Sequence, residues 1–134
     1  MKYRKGYKYQ LAENEVYQTN ILCGENIKTQ FIELDVNGQL IVRSGYAWDG
    51  ASGPTIDYPK CTMRGPCAHD ALYQLIRWGL LEKPYREMAD DFMYQCLIED
   101  GMWRWRARGW WKAVKKVAGF AADPKNKKKI HEAP

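Results

Sequence analysis

The stretch Asp49-Gly-Ala-Ser-Gly-Pro-Thr-Ile-Asp-Tyr-Pro59 constrains this chain more than any other segment. Two glycines and two prolines so close together exclude a regular helix or strand there. With Lys60 to Gly65 it makes a loop over residues 49–65, and loops of that size inside a compact domain are usually functional. It also divides two kinds of patterning. Before it the apolar residues read as β; after it they recur with the 3.6-residue period of helices. The expected fold class is therefore α+β: an N-terminal antiparallel sheet of hairpins, a helical hairpin, and a C-terminal basic helix. A chain of 134 residues is one domain's worth. We assign residues 1–123 to a single domain and residues 124–134 to a flexible basic tail.

On the β side the clearest signal is Phe31-Ile-Glu-Leu-Asp-Val36, then Asn37-Gly38, then Gln39-Leu-Ile-Val-Arg43. Asn-Gly between two such runs predicts a two-residue hairpin turn, because both residues tolerate positive φ. That turn pairs Val36 with Gln39 and Leu34 with Ile41. It puts Ile32, Leu34, Val36 and Ile41 on one face. Further strands are expected around Tyr7–Leu11 and Glu15–Ile21.

Beyond the loop, residues 66–78 read as a helix with Pro66 in its first turn and Gly79 ending it. On a helical wheel Ala68, Leu72, Leu75 and Ile76 cluster about 60° to one side of His69. His69 and Tyr73 sit at the edge of that stripe, and Asp70 points further round. Residues 83–101 read as a second helix, opening near Pro84 and closing at Gly101. Its apolar stripe runs through Tyr85, Met88, Ala89, Phe92, Met93, Cys96 and Leu97. Asp90 falls at the margin of the stripe and Asp91 on the solvated side. Residues 102–122 read as a third helix, or a helix after a short extension, with Trp103, Trp110, Trp111, Val114, Val117 and Ala118 on one face and Lys112, Lys115 and Lys116 on the other.

Charge is unevenly distributed. The net charge is +5, but residues 102–134 carry ten Lys/Arg against two acids, so the rest of the chain is mildly acidic. A basic end that also holds four Trp within nine residues suits an anionic membrane or, less well, nucleic acid. A membrane-facing helix leaves several of Trp103, Trp105, Trp110 and Trp111 exposed; a packing helix buries them against the sheet. No apolar run is long enough to span a bilayer, and no apolar stretch follows the basic start. The expected place of synthesis is a cytoplasm. Cys23, Cys61, Cys67 and Cys96 then read as reduced thiols. Cys61, Cys67, His69 and Cys96 form the one conceivable zinc set. They lack the close cysteine pair of structural zinc sites, and buried free thiols are the better reading.

The helical hairpin brings His69 and Asp90 into register. Measured from the turn they stand at heights of about 15 and 11 Å, on helices packed about 8–10 Å apart. A carboxylate on one ring nitrogen fixes the tautomer and leaves the other free as a base. Asp70, turned toward the preceding loop, can hold a cation. Backbone carbonyls of the Asp49–Gly53 loop would add oxygen ligands of the kind calcium takes.

Trp48-Asp-Gly-Ala-Ser52, His69-Asp-Ala-Leu-Tyr73 and Ala89-Asp90, with Leu97 and Gly101, occur in the order seen in a family of uncharacterised phage and prophage proteins. The resemblance runs from about Tyr46 to Gly119. It implies a protein made in a host cytoplasm and then retained there or carried in the virion, with a host or virion protein as partner. The same blocks more distantly resemble the secreted phospholipases of the A-two class, prokaryotic ones above all. That resemblance implies His69 as the base that activates water, Asp90 as its orienting acid and Tyr73 as support for Asp90. It also implies calcium held by Asp70 with Asp49 and Gly50, and a lipid or cell-envelope ester as substrate. The chain departs from the pattern at Ala51, where the prokaryotic loop carries Cys, and at Cys67, which is out of register with the eukaryotic cysteines. The contrasting expectation is non-enzymatic: an accessory or virion protein, or an inhibitor of a host factor, in which the His-Asp cluster only holds helices together.

Overall fold

The computed structural model describes residues 3–4, 9–48 and 63–121, with side chains for 10–48 and 63–116. Among the described residues, seven short strands precede three α-helices: β1 (Tyr3–Arg4), β2 (Tyr9–Leu11), β3 (Glu15–Gln18), β4 (Ile27–Lys28), β5 (Ile32–Leu34), β6 (Gln39–Val42), β7 (Ala47–Trp48), α1 (Arg64–Arg77), α2 (Arg86–Glu99) and α3 (Arg104–Ala121). Every strand pairing is antiparallel. One sheet has the order β1-β2-β7 and the other β3-β6-β5-β4. The fold is α+β.

The β5–β6 hairpin differs from the two-residue turn expected at Asn37-Gly38. Leu34 pairs with Leu40 and Glu33 with Ile41, which shifts the register by one residue. The cause is Asp35. Its carboxylate accepts the backbone N–H of Asn37 and of Gln39, both at 2.9 Å, and its carbonyl accepts Gly38 N–H at 3.1 Å. This is a side-chain-stabilised turn that lengthens the loop to three residues, with Gly38 in the left-handed region at φ +82. Gly38 is doubly required, because a Cβ there would lie 2.5 Å from the Thr19 carbonyl oxygen. A one-residue shift exchanges the faces of a strand. The buried set is thus Ile32, Leu34, Leu40 and Val42, while Val36 is exposed and Ile41 half-buried.

That buried face meets α1 through Cys67, Ala68, Ala71, Leu72, Leu75 and Ile76, all in one core. Tyr17 of β3 ties the layers together. Its hydroxyl donates to the Arg64 carbonyl at 3.0 Å, and its ring meets Phe92 of α2 edge-on at 6.0 Å. α1 begins two residues earlier than expected. It ends at Gly79, where Gly79 N–H reaches the Ile76 carbonyl and Leu80 N–H that of Leu75, closing the last turn. A single 3-10 turn, Lys83–Tyr85, absorbs Pro84 before α2 starts at Arg86. α2 ends at Gly101 with the same pair of reversed bonds, from Gly101 and Met102.

Among the described residues α3 packs chiefly on α2. Trp110, Ala107 and Met102 form a small core with Met93 and Leu97. Trp111 Nε1 donates to Asp91 at 2.7 Å, so α3 runs antiparallel to α2. The expected shared face of Trp103, Trp110 and Trp111 is corrected here. Trp103 precedes the first helical turn and is exposed; Trp110 is buried, and Trp111 lies between. The side chains of Val117 and Ala118 and the tail from residue 124 lie outside the described residues.

Candidate active site

α1 contributes His69, Asp70 and Tyr73, which its 3.6-residue period spreads around one side of the helix. α2, running the opposite way alongside it, contributes Asp90. His69 Nε2 lies 2.7 Å from Asp90 Oδ1, as the phase and height of the two helices lead one to expect. Tyr73 Oη donates to the same oxygen at 2.6 Å. The His69 and Tyr73 rings stack at a tilt, with centroids 4.2 Å apart. Asp90 is 1% exposed and His69 7%. Both were expected at the margins of their apolar stripes; the close approach of the two helices covers them. Asp91, the neighbouring aspartate, is 63% exposed at its side chain and serves Trp111 instead.

An ionised carboxylate can only accept, so Nε2 carries the proton in the His69–Asp90 bond. In neutral His69 the lone pair is then on Nδ1. Nδ1 faces Asp70, whose Oδ1 is 4.0 Å away, too far for a direct hydrogen bond. One water with hydrogen bonds of about 2.8 Å to each atom spans such a gap. Burial lowers the pKa of His69, but the Asp70 and Asp90 carboxylates outweigh it and leave the ring above its ordinary value. Burial, reinforced by Asp90, raises the Tyr73 phenol, which therefore stays a proton donor.

Two features were not read from the sequence. Asp90 Oδ2 is buried with no hydrogen-bond partner among the described residues. Arg86 stands one helical turn before Asp90 and is close enough for its charge to act on the Tyr73 hydroxyl. Its four-residue spacing from Asp90 was the available signal. Asp49 and Gly50, expected with Asp70 in a cation site, lie outside the described residues, as does Cys61. Among the described residues no three His, Cys, Asp or Glu side chains converge as a metal-binding group. Cys67 and Cys96 are buried thiols. Burial pushes Cys67 well up and Cys96 up to about 12, so both stay protonated.

No family model, curated protein or solved structure matches the chain. Among the described residues, no helix is long and apolar enough to cross a membrane.

Proposed function

We propose that this is a phage-derived hydrolase with a phospholipase-like His-Asp site, acting with calcium on an ester of a lipid or cell-envelope component. The observation that carries the reading is the shared Asp90 Oδ1. By taking Nε2–H and the Tyr73 hydroxyl together, it commits the imidazole to the tautomer whose Nδ1 lone pair faces Asp70. In this reading His69 Nδ1 removes a proton from water as the oxygen adds to the ester carbonyl. The imidazolium is held by Asp90 and then returns the proton to the departing alkoxide. Tyr73 fixes the carboxylate that fixes the ring. Asp70 fits one ligand position of a hard cation, being a half-exposed carboxylate beside the base. Calcium takes about six to eight oxygens, so Asp49, Gly50 and water would supply the others. When bound, calcium supplies positive charge for the oxyanion that develops on the ester.

The test is turnover of a phospholipid and of a simple acyl ester, with calcium or with chelator. Calcium-dependent release of acid, lost in a folded His69→Gln variant, is expected. No turnover of either substrate by the native chain contradicts the reading. The depth of the dyad favours one alternative, a non-enzymatic accessory, virion or host-inhibiting protein in which the network bolts α1 to α2. In that case substitutions at His69 alter stability alone.

A further inference from the structure

Trp103 and Trp105 are 71% and 70% exposed, more than any other large apolar side chain among the described residues. Their rings stand 6.1 Å apart with a tilt of 50°. They are not left over from a helix without a partner. The inner face of α3 is already filled by Ala107 and Trp110 against α2. Trp105 recurs with Arg108, Lys112 and Lys116 at helical spacing on the opposite, exposed face, and Arg104 is exposed beside it. No acidic residue occurs between Asp100 and Asp123. Asp91 of α2 is engaged by Trp111 and Lys115.

We infer that this outer face of α3, led by Trp103 and Trp105, docks on an anionic lipid bilayer. Indoles favour the headgroup level, where an apolar ring and a polar N–H are both accommodated, and Lys/Arg are drawn to anionic lipid. Two exposed indoles leading a basic face match the apolar–polar boundary of a bilayer, where the rings enter and the cations stay at the phosphates. The patch also lies at a defined end of the helical layer. Arg64, at the start of α1, bonds Asp100, at the end of α2, at 2.7 Å, and Trp103 follows three residues later. The indole pair therefore sits at the end where α1 begins, five residues before His69, and Arg108, Lys112 and Lys116 continue the face along α3. The inference does not depend on hydrolysis, since it concerns binding alone.

Co-sedimentation with phosphatidylcholine–phosphatidylglycerol vesicles tests it, with pure phosphatidylcholine vesicles and single-stranded DNA as the other arms. The native chain should bind the anionic vesicles at low salt, with a blue shift of its Trp fluorescence, and should release them as salt is added. Trp103→Ala with Trp105→Ala should remove most of the blue shift and weaken binding without lowering the melting temperature. Arg108→Gln with Lys112→Gln should weaken vesicle binding by roughly 30-fold at low salt. Three results overturn the inference: no binding to anionic vesicles, binding that the indole pair does not affect, or binding to DNA in preference to lipid.

Discussion

Asp90 Oδ1 accepts two hydrogen bonds while Asp90 Oδ2 accepts none from the described residues, and this asymmetry makes the carboxylate sensitive to substitution. Tyr73→Phe removes one bond to a charged acceptor and should cost about 1.5–3 kcal/mol in denaturant unfolding. Asp90→Ala strands two buried donors and should cost more than Tyr73→Phe. The pH dependence follows from His69. Its folded pKa is raised above the unfolded value near 6.5, so the native state holds its proton more tightly. The stabilisation is complete below pH 6.5 and is lost as pH rises through the folded pKa. A base must be neutral, so hydrolysis should change in the opposite sense and rise with pH; calcium on Asp70 would offset one of the two carboxylates that raise His69, so that rise should come at lower pH than the calcium-free stability transition. Stability curves of the native chain and His69→Gln should separate on the acid side and converge on the alkaline side. Curves that stay parallel across this window contradict the raised pKa.

At the scale of elements, the helical period was legible because it depends on apolar residues that recur over fourteen positions in α1. It placed His69, Tyr73 and Asp90 together and turned Asp91 away. The hairpin register was not legible from Asn37-Gly38. A side chain just outside the turn, Asp35, bonds the backbone and decides the loop length. Gly38→Ala should therefore destabilise by about 1–3 kcal/mol through its positive φ, and the Thr19 carbonyl adds a clash. The extent of burial at Asp90 also escaped the wheel, which gives a direction but not how closely the neighbouring helix approaches. α3 shows both limits. Its phase grouped Trp110 with Trp103 and Trp111 and left open which way that face turns; Trp110 is buried, while Trp103, outside the helix, does not follow the phase. Trp110→Ala should cost about 3–5 kcal/mol by opening a cavity against α2, whereas the exposed pair should cost little.

At the scale of the whole molecule, the sheet presents Ile32, Leu34, Leu40 and Val42 to α1, α1 holds the histidine against α2, and α2 carries α3 on its other side. The dyad thus lies where two helices meet over a sheet, with the Gly- and Pro-rich stretch from Asp49 leading into α1. A hydrolase that holds calcium at Asp70 needs further oxygen ligands around it. A purely structural bolt between α1 and α2 needs no cation. The most direct discriminator is the melting temperature of the native chain and of Asp70→Ala as calcium is added. If Asp70 holds calcium beside His69, the native chain should gain about 2.7 kcal/mol at 100 times the dissociation constant, and Asp70→Ala should gain nothing. A native chain whose melting temperature ignores calcium, or an Asp70→Ala variant that responds equally, contradicts the account.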